Sequence, residues 1–279
     1  MNTTNKVWFV TGASKGFGLA LVQLLLSSGH RVAATSRNEQ ELQRQVAGTS
    51  DNFLAMKVDI SNDQDVKSAL KQTVETFSGL DVVVNNAGYA IYGSLEELSD
   101  QEFRQSIEIN LLGTVNTIRN AMPYLRKQRS GHIINFSSIG GYRGYGSDAA
   151  YSSVKFAIIG LSESLAEEVK HLGVKVTVVA PGFFRTSFLE KGTLMVASNK
   201  IPEYNTEKME AWMHEMDGKQ QGDPQKLVRL LVEITEEKNP PLHLILGPDA
   251  YQIKTEKAKA DAEELEAWKS LTFSTNIEN

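Results

Sequence analysis

No cysteine occurs anywhere in the chain. Disulfides, thiolate metal sites and a thiol nucleophile are therefore excluded, and a reducing compartment fits. Histidine is scarce. His30, His132, His171, His214 and His243 stand too far apart for a ligand pattern, so no metal site is expected. No apolar run approaches the roughly 18 residues of a membrane span. The few residues ahead of Lys6 have neither the charged start nor the apolar stretch of a secretory signal. A cationic excess is missing too: the formal net charge is -5 and no basic stripe interrupts the scatter of charges, which argues against nucleic-acid binding. A cytoplasmic protein with no membrane or nucleic-acid partner is the expectation. Repeats and low-complexity tracts are also absent.

What is present is ordinary globular material. The chain has 279 residues, 41% apolar and 23% charged, enough for one α/β domain with a sizeable core. Short β-branched runs are expected as strands at Lys6–Val10, Arg31–Ala34, Phe53–Val58, Asp81–Val84, His132–Phe136, Lys175–Val179 and His243–Leu246. Most are continuous apolar runs, the pattern of strands buried on both faces. Helical stretches lie between them at Gly18–Ser28, Asp63–Phe77, Gln101–Lys127 and Tyr151–Leu172. Such alternation implies a single-domain, doubly wound Rossmann fold over residues 1–279, with a mostly parallel seven-stranded sheet flanked by helices. Two regions break the rhythm. Residues 186–222 form an insertion rich in Met and aromatic residues. Residues 249–279 form a helical extension, with Leu265 and Trp268 as candidate anchors on the body and a frayed tail behind them.

The first strand runs into Thr11-Gly12-Ala13-Ser14-Lys15-Gly16-Phe17-Gly18 and then a helix. Glycines at such a corner permit the sharp turn, a close backbone approach to a pyrophosphate and close helix–sheet packing. The helix N-terminus offers free N–H groups to phosphate. It is not a P-loop, because no Gly-Lys-Ser/Thr follows at the required spacing. The second strand ends at Thr35-Ser36-Arg37, with no acid to bond a ribose 2′-hydroxyl. Arg37 and Lys15 suit a 2′-phosphate, so NADP(H) is the expected cofactor.

Thr-Gly-x-x-x-Gly-x-Gly is the pattern of the classical short-chain dehydrogenases, and the chain resembles that family over nearly its whole length. Beyond Pro181-Gly182 it resembles bacterial members akin to the 17β-hydroxysteroid dehydrogenase branch. The resemblance implies that Asp59 and Ile60 contact adenine. It implies that Asn86, Ala87 and Gly88, within Asn85-Asn86-Ala87-Gly88, brace the sheet and line the cofactor. It also implies that Pro181, Gly182 and Thr186 hold the nicotinamide carboxamide. Arg185 has no clear family role and reads as a surface or loop-anchoring residue.

Tyr151 and Lys155, four apart, share one helix face. A free tyrosine is a poor base near neutrality, with a pKa of about 10. A nearby ammonium is expected to lower that value and fit the phenol for general acid–base work. Ser138 lies thirteen residues before Tyr151, where the family has its catalytic serine, and Ser137 is the weaker candidate. Asn110 resembles the family's fourth catalytic residue, which organises a water-linked proton path to the lysine. The expected reaction is hydride transfer between NADP(H) and a ketone or aldehyde. Tyr89, Tyr92, Tyr142, Tyr145, Phe183, Phe184, Phe188, Met213 and Met216 suggest an apolar or aromatic substrate, or else pack the insertion onto the body. The rival reading is a non-catalytic NADP(H)-binding sensor. A dimer or tetramer through the long helices is expected by family resemblance.

Overall fold

The computed structural model describes residues 5–46, 50–189 and 194–277. Part of the insertion (190–193) and the last two residues of the tail lie outside the described residues. Along the chain run β1 (Val7–Val10), α1 (Gly16–Ser27), β2 (Arg31–Ser36), α2 (Glu39–Val46), β3 (Phe53–Lys57), α3 (Asp63–Phe77), β4 (Val82–Asn85), β5 (Ile91–Tyr92), α4 (Asp100–Ile107) and α5 (Gly113–Gln128). There follow β6 (Gly131–Phe136), α6 (Ala149–Val169), β7 (Val174–Pro181), β8 (Met195–Val196), α7 (Thr206–Met216), α8 (Pro224–Ile234), β9 (His243–Leu246), α9 (Pro248–Ala267) and α10 (Lys269–Phe273).

Seven strands form one parallel sheet in the order β3-β2-β1-β4-β6-β7-β9. The order reverses between β1 and β4, so a crevice opens beyond the strand ends there. Successive strand residues point to opposite faces. Trp8 and Val10 of β1 join a core with Leu21, Leu25 and Leu231 on the side of α1 and α8. Val7 and Phe9 join the other, with Leu70, Ile118 and Leu165 on the side of α3, α5 and α6. Two buried faces explain the uninterrupted apolar runs of the sequence. A small second sheet pairs β5 with β8 and ties the insertion to the body. Among the described residues no helix is long and apolar enough to cross a membrane.

Several boundaries differ from expectation. β2 and β7 run two residues further, to Ser36 and Pro181. The helix expected over Gln101–Lys127 is broken by a π turn at Glu108–Leu112. Asn110 lies within that turn, where its Nδ2 donates to the Ser106 carbonyl at 2.9 Å and its Oδ1 accepts the Tyr89 amide at 2.8 Å. Such bulges are frequent at functional sites. α2 was not expected, because its run of charge and glutamine carries a single buried residue, Leu42.

The expected anchoring of the C-terminal helix is overturned. Leu265 is 68% exposed and Trp268 61%. Of its residues α9 buries Ala250 alone. Beyond its first turns it leaves the body and is laced by its own ion pairs, Lys257 with Asp261 and Lys259 with Glu263. The helical stretch continues beyond it as the short, exposed helix α10 over Lys269–Phe273.

Candidate active site

The corner after β1 is built by contact. Gly12 has φ +67, and a Cβ there would lie 2.6 Å from the Ala87 Cα. A Cβ on Gly18 would lie 2.5 Å from the Gly12 carbonyl oxygen. These two positions let the turn, α1 and the segment after β4 stack without side chains between them. Asn86 Nδ2 donates to the Thr11 and Gly12 carbonyls, both at 3.0 Å. The Thr11 hydroxyl accepts the Asn86 and Ala87 amides, both at 3.1 Å. Across the cleft, the Cβ position of Gly16 faces the Thr186 Cβ at 3.9 Å. No side chain caps the start of α1.

The cleft holds about 1010 Å³ and runs from this turn to the insertion. Ser14, Lys15, Phe17, Arg37, Asp59, Ile60, Gly88, Pro181 and Gly182 line it together with Gly12, Gly16, Asn86, Ala87 and Thr186. Gly18 is buried just behind the turn. The fit to a dinucleotide is therefore physical: a long cleft, a helix start without a side-chain cap, and glycines that remove the side chains in its way. No carboxylate stands at the end of β2, and Arg37 is exposed at the rim. Asp59 is engaged with Ser61, accepting its amide at 3.0 Å and its hydroxyl at 2.6 Å.

At the base of the cleft α6 sets Tyr151 and Lys155 one turn apart. The Lys155 Nζ lies 5.4 Å from the Tyr151 ring centroid and donates to the Phe136 carbonyl at 2.9 Å. The Ser138 hydroxyl stands beside Tyr151, the Cβ position of Gly140 lying 3.6 Å from its Oγ and 3.5 Å from the Tyr151 Cε1, and it accepts the Gly140 amide at 3.1 Å. Ser137 is turned away and donates to the Lys155 carbonyl at 2.9 Å. Of the two serines, Ser138 is the one at the tyrosine.

The electrostatics differ from expectation. Burial pushes the Tyr151 phenol well above its ordinary pKa; the neighbouring Ser138 hydroxyl opposes this and the Asp148 charge adds to it. Burial lowers Lys155 to about 8. The expected lowering by the ammonium does not dominate, because Lys155 is held on the Phe136 carbonyl and desolvation outweighs it. Near neutrality Tyr151 holds its proton, the state needed to donate to a carbonyl oxygen.

Asn110 is buried and does not line the cleft. Its side chain braces Tyr89, and a Cβ on Gly88 would lie 2.5 Å from its Oδ1. The structure thus joins its side chain to the segment after β4. Arg185 anchors the loop as expected, donating to the Gln220 carbonyl at 3.0 Å.

The insertion closes the far end. Ala90, Tyr92, Leu189, Leu194 and Met213 form an apolar cluster, with Tyr151, Phe188, Met209 and Met216 packed on it. Phe183 meets Trp212 edge-on at 5.6 Å. Tyr89, Tyr92, Tyr145, Phe183, Phe184, Phe188 and Met213 line the cleft as expected; Tyr142 and Met216 do not. Tyr142 instead bonds His243 Nδ1 at 2.5 Å and lies under Lys254.

Sequence reasoning missed four polar residues. Glu97 is buried and accepts the Ser94 and Ile201 amides and the Thr206 hydroxyl, each at 2.8 Å, tying the insertion to the body. Burial pushes its carboxyl up, but these hydrogen bonds win and hold it at about 2. Asp249 accepts the Phe183 amide at 2.7 Å and crowds Gly182. Asp148 and Gln220 are buried in the cleft wall. A lone acid or amide in a loop carries no spacing signal, so nothing in the sequence singled these out.

Comparison with known proteins agrees with this geometry. The family described as short chain dehydrogenase matches residues 6–195. A 3-ketodihydrosphingosine reductase of Bacteroides thetaiotaomicron is 35% identical over 244 residues, which is 87% of this chain and 88% of that one. A short-chain dehydrogenase structure from Streptomyces avermitilis has a TM-score of 0.90 at 31% identity, covering 98% of this chain and 100% of that one. The structure of ElxO with NADP bound has a TM-score of 0.72 at 27% identity, covering 87% of this chain and 96% of that one.

Proposed function

The chain belongs to the short-chain dehydrogenase family and is an oxidoreductase, and we propose that it interconverts a ketone or aldehyde and its alcohol with NADP(H). The observation that carries this reading is the grouping of Tyr151, Ser138 and Lys155 at the base of the dinucleotide-sized cleft. When bound, the cofactor supplies or takes up a hydride at C4 of its nicotinamide. The glycine turn of Gly12, Ser14, Lys15, Gly16, Phe17 and Gly18 would hold its phosphates. Asp59 and Ile60 would flank adenine; Asn86, Ala87 and Gly88 would flank the ribose side; Pro181, Gly182 and Thr186 would hold the carboxamide. Arg37 and Lys15 on the cleft, with no acid at the end of β2, support NADP(H) over NAD(H), as does the NADP-bound relative.

In the reducing direction Tyr151 gives its proton to the carbonyl oxygen. Ser138 donates a hydrogen bond to the same oxygen and steadies its developing charge. Lys155 holds the nicotinamide ribose and keeps a positive charge near the phenol. Asn110 acts at one remove, fixing Gly88 and Tyr89 beside the cofactor. The apolar cluster of the insertion favours a substrate with a bulky apolar group. The ketone named for the Bacteroides relative supports reduction of a ketone. The reading also keeps a cytoplasmic enzyme of the 17β-hydroxysteroid dehydrogenase-like branch. It assembles as a dimer or tetramer through α5 and α6, where Phe156 on α6 and Leu112, just ahead of α5, are exposed.

The test follows oxidation of NADPH and NADH with bulky and small carbonyl compounds, using Tyr151→Phe as control. Turnover with NADPH that falls about 10³-fold in the variant is expected, since general acid–base groups contribute about 10²–10⁴-fold. Tight NADPH binding with no carbonyl reduced would overturn the reading.

A further inference from the structure

Two carboxylates of the body grip one stretch of the insertion. Glu97, between β5 and α4, is 1% exposed. Its Oε2 accepts the Ser94 amide at 2.8 Å and its own amide donates to the Ser94 hydroxyl at 3.3 Å, which fixes the side chain to its own turn. Its Oε1 faces the insertion and accepts the Ile201 amide and the Thr206 hydroxyl, both at 2.8 Å. Glu102, in the first turn of α4, repeats the arrangement. Its Oε2 accepts the Ser99 amide at 2.8 Å and the Ser99 hydroxyl at 2.7 Å, and its Oε1 accepts the Ser198 amide at 3.0 Å. Each acid gives one oxygen to the body and the other to the stretch 198–206. An exposed third acid, Glu96, accepts the Tyr204 hydroxyl at 2.5 Å.

That stretch leads into α7, which does not secure its own start. Asn205, ahead of the helix, has φ +53 and its side chain caps nothing. Thr206 opens the helix, is buried, and reaches the Glu97 carboxylate instead. An anion there also meets the positive end of the helix dipole. Further along, Met209, Trp212 and Met213 line the cleft, and Tyr151 packs on the cluster that contains Met213. Along its length α7 meets the body through apolar side chains, such as Trp212 on Phe183. Apolar burial is non-directional, whereas hydrogen bonds to a carboxylate are short, strong and directed. The bonds at the start of α7 therefore decide where its side chains stand. Burial opposes the Glu97 charge, but its hydrogen bonds hold the carboxyl at about 2, so it is ionised near neutrality. We propose that Glu97 is a positioning residue: seconded by Glu102, it fixes α7 as the wall of the substrate end of the cleft, and so sets how well the site tells a bulky carbonyl compound from a small one. This role rests on the reading of Tyr151 and Ser138 as the groups that meet the carbonyl.

Butanone and 2-acetylnaphthalene present the same methyl ketone and differ in bulk, so they serve as probes. Their kcat and KM with NADPH are measured in the wild type, Glu97→Gln, Thr206→Val and Thr206→Ser. Glu97→Gln keeps the shape but turns one accepting oxygen into a donor. Thr206→Val removes the hydroxyl from the other side of the same bond. In both, KM for 2-acetylnaphthalene should rise about 10-fold while KM for butanone moves at most about twofold, since a small misplacement of a wall is felt by the ligand that fills it. Thr206→Ser keeps the hydroxyl and should behave as the wild type. Glu97→Gln combined with Thr206→Val should be no worse than Glu97→Gln alone, because the two changes cut one bond. An equal rise for both ketones, the mark of general loosening, overturns the proposal, as does a 2-acetylnaphthalene KM that neither variant moves. If Glu97→Gln does not fold, the two Thr206 variants decide. If neither ketone turns over, the proposed reaction fails on its own account, and the hold on α7 is read from Trp212 in a Trp268→Phe background, where Trp8 is fully buried. Acrylamide should then quench Trp212 more in Glu97→Gln and Thr206→Val than in the wild type and Thr206→Ser. Equal quenching in all four overturns the role of Glu97.

Discussion

α6 and α9 are almost the same length, 21 and 20 residues, and are held in opposite ways. α6 lies against the sheet and buries Val154, Ile158, Leu165 and Val169 along with Ser152, Lys155 and Ser162. α9 touches the body over its first turns, where Asp249 takes the Phe183 amide, Ala250 is buried, Lys254 lies over Tyr142 and Glu256 pairs with Arg143, and it is largely exposed beyond them. Its remaining support is surface ion pairing, worth about 0.3–0.5 kcal/mol per i,i+4 pair. A side chain on α6 is thus fixed by its surroundings, and one on most of α9 only by its own helix. Chemistry that depends on position belongs on the first kind of helix, and Tyr151 and Lys155 are there.

The sharpest way to break this contrast is to make one substitution on both helices. Lys155→Met removes the buried ammonium on the Phe136 carbonyl, and kcat should fall about 10²–10⁴-fold, the span of a lost acid–base group. Lys257→Met on α9 should leave kcat within twofold and stability within about 0.5 kcal/mol. Equal effects at the two sites, read by steady-state kinetics and thermal unfolding, would refute the comparison. Arg37 sharpens it from another side, being as exposed as α9 yet standing on the cleft rim. Arg37→Asp should shift the NADPH to NADH preference about 100-fold toward NADH, because it restores an acid for the ribose hydroxyl and repels a 2′-phosphate. A preference that moves less than threefold would remove Arg37 from the cofactor site.

The start of α6 carries a pH signature that α9 lacks. Burial raises the Asp148 carboxyl from an ordinary 3.8 to about 7, with Ser152 opposing; Tyr92, Tyr145 and Tyr151 face it. A raised acid contributes its full share of stability below its unfolded pKa and loses it as pH rises through the folded one. The cost of the charge is therefore absent near pH 4 and complete above pH 7. Asp148→Asn should be more stable than the wild type at pH 8, by about 2 kcal/mol once partial solvent relaxation is allowed for. The gain should vanish near pH 4. A gain that does not depend on pH would mean that the carboxyl titrates normally.

The same contrast governs what was readable from sequence. The strands were legible because burial on both sheet faces leaves continuous apolar runs, and β1, β4, β6 and β9 fall within a residue of their expected bounds. Tyr151, Lys155 and Ser138 were legible as a spacing, and the structure brings them together. Ser137 and Ser138 could be ranked only by that spacing; their different partners are a tertiary fact. The break at Asn110 was foreshadowed by a polar residue in an apolar stretch, but its cause, the Tyr89 amide, comes from a distant loop. Asp148, Glu97, Asp249 and Gln220 gave no signal, since a lone acid or amide in a loop has no spacing to mark it. α9 misled for the converse reason: Leu265 and Trp268 look like anchors whenever apolar residues are assumed to find a surface.

Those two residues allow the mildest test. Leu265, Trp268, Leu271 and Phe273 are all exposed near the end of the chain. If nothing covers them in solution, replacing Leu265 and Trp268 together with serine removes no burial, and stability should change by less than about 0.5 kcal/mol. It should even rise in solubility, because exposed apolar surface promotes association. If a second copy covers them, the double variant should lose stability, and the wild-type Tm should rise with protein concentration as linkage requires. Thermal unfolding at two protein concentrations, run on both proteins, separates these cases. A concentration-independent Tm with no difference between them would leave α9 the loosely held helix that its ion pairs describe. A concentration-dependent Tm that the variant abolishes would make it a second fixed helix, positioned by a neighbour where α6 is positioned by the sheet.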